Sequence, residues 1–141
     1  MELTQENLQT FGEYAQGILN ISHWNIKYTL CDKKEMFYEN QGQGEYQGLA
    51  TKQREILYAN IILNADSEYE YKSNWMQTVI HELIHIIMDD YDAWVEDHFE
   101  EKELPDYGNS LYEKTVEWLA RGVYRAMVSN CPFILPSYQS P

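Results

Sequence analysis

The spacing of apolar residues in the first half of the chain predicts one helix followed by strands. Residues 5–20 carry apolar side chains at helical spacing. Residues 24–30 alternate between apolar and polar, which is typical of a strand with one buried face. Residues 55–63 are apolar at nearly every position, as expected for a strand that is covered on both faces. The predicted helical stripe is made by Leu8, Phe11, Ala15, Ile18 and Leu19.

The second half of the chain predicts two more helices with an acidic insert between them. The helix at 74–88 begins at Asn74, a capping residue type, and is apolar almost all round, so we expect it to be buried. An acidic insert at 89–109 precedes a C-terminal helix at 110–129. The apolar stripe along one face of this helix is made by Tyr112, Val116, Leu119, Val123 and Met127. One helix, a small mixed or antiparallel sheet from 24 to 63 and two later helices predict a single α+β domain over residues 1–141.

The buried helix contains the sequence His81-Glu82-Leu83-Ile84-His85. Histidines at positions i and i+4 lie one turn apart on one helix face, so both rings can reach one metal ion. Glu82 lies about 100° around the helix from His81, where it can accept a proton without being a ligand. This is the HExxH pattern of zinc metallopeptidases. His and Glu are costly to bury without partners, and a bound Zn²⁺ explains why they occur in so apolar a helix.

A catalytic zinc needs a third protein ligand, and three residues are candidates. The C-terminal helix offers Glu113 and Glu117, and the acidic insert offers His98. At 100° per residue, Glu113 lies about 70° from the centre of the apolar stripe and Glu117 about 110° from it. We therefore expect His81, His85 and Glu113 to hold the metal, with Glu117 and His98 as alternatives.

This arrangement resembles the gluzincins, in which a glutamate from a helix downstream of HExxH completes the zinc site. It resembles more closely the single-domain minigluzincins and the short zinc metallopeptidases predicted in phages and prophages. The likeness extends from Gly48 to Met127, through the strand before the metal helix, residues 78–85 and the glutamate-rich segment 111–121. The acidic, aromatic insert departs from the family pattern.

The resemblance implies a minimal zincin-like fold and zinc-dependent hydrolysis of peptide bonds in a protein or peptide substrate, with Glu82 as the general base. A further donor would stabilise the oxyanion, and Tyr107, Tyr124 and His98 are candidates. The strand at 55–63 could pair with an extended substrate if it lies at an edge of the sheet.

The composition of the chain limits which partners and which cellular location we expect. The chain has 10 Lys and Arg against 23 Asp and Glu, a net charge of −13, which disfavours nucleic acid and anionic membranes as partners. The polar, acidic N-terminus and the absence of a long apolar run predict a cytoplasmic protein, in which Cys31 and Cys131 are free thiols. Two other functions remain open: a zinc-stabilised acidic protein that binds a basic partner without turnover, and a metal-free inhibitor that mimics DNA. The sequence leaves the oligomeric state undetermined.

Overall fold

The computed structural model describes residues 2–32, 48–65, 75–89 and 106–129, with only the backbone described at 106–111. It confirms the α+β class. Three helices pack with one three-stranded mixed sheet in this part of the chain. The helices are α1 (Gln5–Ile18), α2 (Trp75–Ile87) and α3 (Asp106–Val128), and the strands are β1 (Asn25–Cys31), β2 (Gly48–Gln53) and β3 (Tyr58–Asn64).

Helix α1 begins at a side-chain cap and ends two residues before the predicted boundary. The Thr4 hydroxyl accepts a hydrogen bond from the backbone N–H of Asn7 at 3.1 Å, which satisfies one of the free donors of the first turn. Asn20 has a left-handed backbone (φ 58°), a conformation that cannot continue the helix. Leu8, Phe11 and Ala15 are fully buried, whereas Ile18, which the pattern places on the same stripe, is 56% exposed.

Strand β1 packs closely against α1. A Cβ atom at position 12 would overlap the ring of Tyr28, so Gly12 permits the close approach of helix and strand. The Tyr28 hydroxyl donates to the carbonyl of Gly12 at 2.9 Å. Along the outer edge of β1, the Gln5 amide donates to the carbonyl of Tyr28 and accepts from the N–H of Leu30, both at 2.9 Å. Gln5 thus takes the place of a neighbouring strand at that point.

The sheet has the order β1-β3-β2, with β1 parallel and β2 antiparallel to β3. The strand that was predicted at 55–63 begins only at Tyr58 in the structure. Its first predicted residues belong instead to a short 3-10 turn, Arg54–Ile56, and to Leu57. Leu57 follows this turn with φ 49° and connects β2 to β3 as a hairpin. Because β3 is the central strand, the hypothesis that it pairs with substrate as an edge strand is wrong. Among the described strands, β1 and β2 lie at the edges.

Helix α2 lies in the core, as its apolar pattern predicts. Trp75, at its start, packs edge-on against Phe11 of α1, with the ring centroids 5.6 Å apart. The last residue, Ile87, is 44% exposed. The predicted cap, Asn74, lies outside the described residues. The remaining buried apolar side chains of α2 are Met76, Val79, Ile80, Leu83, Ile84 and Ile86.

Helix α3 begins at Asp106, four residues before the predicted start at 110, so the end of the predicted acidic insert belongs to this helix. Val116, Ala120, Tyr124 and Met127 are buried on its inner face. Leu119, which the pattern also assigned to the stripe, is 48% exposed. None of the helices in the described ranges has the length and apolar character needed to cross a membrane.

Candidate metal centre

The two histidines of α2 point toward α3 with their Nε2 atoms facing each other. The Nε2 atoms of His81 and His85 are 3.2 Å apart, and the ring centroids are 5.0 Å apart. Both side chains are about one-fifth exposed. This follows from the i, i+4 spacing, which places the two rings one above the other on one face.

Glu113 of α3 lies opposite the histidines. Its Oε2 atom is 3.5 Å from Nε2 of His81, and its Oε1 atom is 3.4 Å from Nε2 of His85. Ligand atoms about 2.0–2.1 Å from a tetrahedral Zn²⁺ are about 3.3 Å from one another. The atoms of His81, His85 and Glu113 that can bind a metal all lie within 4.8 Å of one another, so these three residues could together hold a metal ion.

Glu117 lies one turn further along α3 and contacts the other nitrogen of His81. Its Oε2 atom is 2.9 Å from Nδ1 of His81, and its Oε1 atom accepts from Nε2 of Gln77 at 2.7 Å and from Nε of Arg121 at 3.4 Å. A carboxylate at Nδ1 keeps the proton on that nitrogen and leaves the Nε2 lone pair for a metal. Of the two glutamates that the sequence offered, the structure brings Glu113 to the Nε2 side and Glu117 to the Nδ1 side.

His85 has a different partner at its Nδ1 atom, the hydroxyl of Tyr112, at 3.2 Å. Sequence reasoning placed Tyr112 in the apolar stripe of α3 and missed this contact. The one feature of the sequence that could have suggested this contact is that Tyr112 stands immediately before Glu113. That feature predicts a contact with His85 only once α2 and α3 are known to run antiparallel. Both histidines therefore have a hydrogen-bonding partner behind them and turn Nε2 toward Glu113.

Glu82 lies beside this cluster in the wall of a cleft of about 520 Å³. Its side chain is only 8% exposed, and burial raises the pKa of its carboxyl group above the usual value. Backbone of the edge strand β2 lies over it: a Cβ atom at Gly48 would be 3.4 Å from Cγ of Glu82. The cleft is lined by Gly48, Leu49, Ala50, Lys52, His81, Glu82, His85 and Glu113.

The charges of the cluster are strongly coupled. Burial lowers the pKa of His81, but the hydrogen bond to Glu113, the charge of Glu82 and the hydrogen bond to Glu117 together raise it to about 9. Hydrogen bonds from His81 and His85 lower the pKa of Glu113 to about 2. Without a metal, a proton on His81 balances the carboxylates, and a divalent cation can take its place.

A second charged group joins β2 to the C-terminal end of α2. Lys52 donates to the carbonyl of His85 at 3.3 Å and pairs with Asp89 at 3.2 Å. Arg54 donates to the Asp89 carboxylate at 2.6 Å and to the Asp89 carbonyl at 2.9 Å. These contacts hold one wall of the cleft against the helix that carries the histidines. No pattern in the sequence predicts these contacts, because Asp89 stands only as the first residue of the predicted acidic insert.

Several predicted site residues have other locations. Tyr124 is buried in the core and does not line the cleft, so it is not in a position to stabilise an oxyanion there. His98 and Cys131 lie outside the described residues, as does the side chain of Tyr107. Cys31 is buried and forms no disulfide bond within the part of the chain that the structure describes.

Comparison of the chain with protein-family models, with curated proteins and with solved structures finds no match. The likeness to gluzincins therefore rests on the sequence motif and on the geometry of the cluster.

Proposed function

We propose that the protein is a gluzincin-like zinc metallopeptidase that hydrolyses peptide bonds at the cleft between β2 and α2. The observation that carries the proposal is the convergence of His81, His85 and Glu113 within 3.2–3.5 Å of one another, next to the buried carboxyl group of Glu82. Two imidazoles and one carboxylate form a ligand set that catalytic zinc sites use.

This set of ligands favours zinc over Mg²⁺ and Ca²⁺. Mg²⁺ and Ca²⁺ prefer oxygen ligands, whereas two of the three donors here are imidazole nitrogens. His81, His85 and Glu113 would hold the ion at the cleft. When bound, it would supply a Lewis acid for a carbonyl group and would lower the pKa of a water molecule in the cleft to about 7.

Glu82 would act as the general base. Its carboxyl group takes a proton from the attacking water and passes it to the leaving nitrogen. The raised pKa suits this exchange, because a group that titrates closer to neutral pH can both accept and release a proton. Glu117 and Tyr112 would hold the two imidazoles in the tautomer that binds metal.

The substrate would be an extended peptide that lies along β2. This strand is at an edge of the described sheet and forms one wall of the cleft, so its outer backbone groups can pair with a peptide main chain. Such pairing would align a peptide bond with the cluster on α2. Both the substrate class and the strand that receives it belong to this proposal.

Two measurements on purified protein test it. The first is zinc content by mass spectrometry after zinc is offered to the wild type, His81→Ala and Glu113→Ala. We expect one equivalent of zinc in the wild type and much less in each variant. A wild-type protein without zinc would exclude a metallopeptidase.

The second measurement is cleavage of a complex peptide mixture by the zinc-loaded protein, followed by mass spectrometry of the products. We expect Glu82→Gln to retain zinc and to cleave at least about 10²-fold more slowly, which is the usual contribution of a general base. Equal cleavage by Glu82→Gln would show that a contaminant is responsible. Stoichiometric zinc without cleavage of any peptide would favour the alternative, a zinc-stabilised acidic binding protein.

A further inference from the structure

The outer face of α3 differs in charge from the rest of the molecule. Residues 114–129 contain three of the ten Lys and Arg residues of the chain but only one of its 23 Asp and Glu residues. That one acidic residue, Glu117, is turned toward His81 and Gln77 of α2. The exposed surface of residues 114–129 is therefore basic, in a protein whose net charge is −13.

Large apolar side chains lie on the same surface. Trp118 is 74% exposed and Leu119 is 48% exposed, so two large apolar side chains that follow one another in the sequence both lie on the surface. A Cβ atom at Gly122, one turn beyond Trp118, would meet no atom within 4 Å, so the surface at this position is open. At about 100° per residue, these side chains and the three cations fall within one half of the helix surface. We call this surface the Trp118 face; it consists of Lys114, Trp118, Leu119, Arg121, Gly122 and Arg125.

We propose that the Trp118 face binds an acidic, amphipathic segment of another protein. Lys114, Arg121 and Arg125 follow one another at spacings of seven and four residues and span about 16 Å along the helix. A three-turn helix with carboxylates at spacings of four and seven residues can face all three cations in an antiparallel arrangement. Its apolar side chains would cover the indole of Trp118 and pack over the open surface at Gly122.

The composition of the face favours a protein over other polyanions. Trp and Arg are the residues that dominate binding energy at protein interfaces. Three cations give a small phosphate footprint, and nucleic-acid affinity depends on the number of phosphates neutralised. Anchoring on a membrane needs a wider apolar face than Trp118 and Leu119 provide, and the inner face of α3 is already packed in the core.

The face is distinct from the candidate metal centre, although Arg121 borders both. Arg121 contacts Glu117, which contacts His81, so an Arg121 variant would disturb the two surfaces together. Trp118 and Arg125 are exposed and make no hydrogen bond or ion pair with His81, His85, Glu113 or Glu117 in the described structure, so their substitution tests the face alone.

The test measures binding of a labelled synthetic helix of 16 residues, with glutamates at spacings of four and seven on one stripe and leucines beside them. Fluorescence anisotropy compares the wild type with Trp118→Ala, Arg125→Glu and the control Lys27→Glu, which makes the same charge change at an exposed position on β1. We expect Trp118→Ala and Arg125→Glu to weaken binding at least about tenfold. Lys27→Glu should change it less than about twofold, since its charge lies outside the face.

Four further arms complete the test. A matched peptide with glutamine in place of glutamate should bind at least about tenfold more weakly, because the charge pairs are lost. Binding of oligothymidylate or of phosphatidylserine vesicles as tightly as the peptide would overturn the proposal. So would failure of the acidic peptide to bind, or equal weakening by Lys27→Glu. An indole at position 118 that iodide cannot quench in the isolated protein, judged against Trp118→Phe, would also overturn it, since the face would already be covered.

Discussion

Replacing Glu117 with glutamine tests the arrangement of the candidate metal centre most directly. The carboxylate of Glu117 receives contacts from three side chains, His81, Gln77 and Arg121, and it is 2.9 Å from Nδ1 of His81. Glutamine has nearly the same shape and can still accept one hydrogen bond from Nδ1. It lacks the negative charge that holds the proton on that nitrogen and makes Nε2 a better donor to a metal.

The expected loss follows from the role of such a partner. Substituting the hydrogen-bonding partner of a metal-bound histidine usually lowers metal affinity about 10- to 100-fold. This corresponds to about 1.4–2.7 kcal/mol of binding free energy. Glu113→Gln changes the proposed third ligand, whose Oε2 atom is 3.5 Å from Nε2 of His81 and whose Oε1 atom is 3.4 Å from Nε2 of His85, and should reduce zinc affinity by more than about 100-fold.

The assay is a competition titration of zinc between metal-free protein and a chromogenic chelator, at one fixed pH because protons compete with the metal for His81. Glu13→Gln is the matched control, since Glu13 is exposed on α1 and contacts only Gln9 among the hydrogen bonds described. Its zinc affinity should equal that of the wild type. A loss in Glu117→Gln as large as in Glu113→Gln would contradict the assignment and make Glu117 a ligand. An unchanged affinity in Glu117→Gln would show that its contact with His81 has no orienting role.

Three other predictions concern the scaffold around the cleft. Gly48→Ala should lower the free energy of unfolding by about 1–3 kcal/mol, because its Cβ would lie 2.8 Å from Cγ2 of Thr78. The control Gly122→Ala should raise the free energy of unfolding by about 1 kcal/mol. Equal urea midpoints for the two variants would refute this prediction. Burial raises the pKa of Asp89, but its hydrogen bonds and ion pairs outweigh that effect and hold the pKa below the usual value. The stability that Asp89 contributes is therefore present above about pH 3.9 and is lost as the pH falls through the lower pKa of the folded state. Urea midpoints of wild type and Asp89→Asn should therefore differ at pH 7 and converge in acid, and a difference that grew in acid would contradict this sign. Gln5→Ala should expose the outer edge of β1 and increase self-association in sedimentation experiments, whereas an unchanged sedimentation coefficient up to high protein concentration would count against an edge-covering role.

Local patterns in the sequence determined the fold class and two of the buried elements. The α+β class, the buried helix with His81 and His85 on one face, and a strand covered on both sides all follow from the periods of helix and strand, which the sequence displays directly. The pairing of the two histidines needs nothing beyond the helix itself, because residues four apart are neighbours on its surface.

Only the tertiary packing decided which residues of the other elements lie next to the two histidines. Glu113 and Glu117 are one turn apart on the same side of α3, so the choice between them depends on how far α3 is shifted along α2, and no local pattern in the sequence sets that shift. The same is true of the edge position of β2, which depends on the hairpin at Leu57 folding β2 back onto β3. The exposure of Leu119, which the apolar pattern placed on the inner stripe, arises because the core meets a narrower strip of α3 than the pattern suggests. Sequence alone therefore determines the helix that offers two metal ligands, while the relative placement of helices and strands determines the third candidate ligand, the wall of the cleft and the face left open on α3.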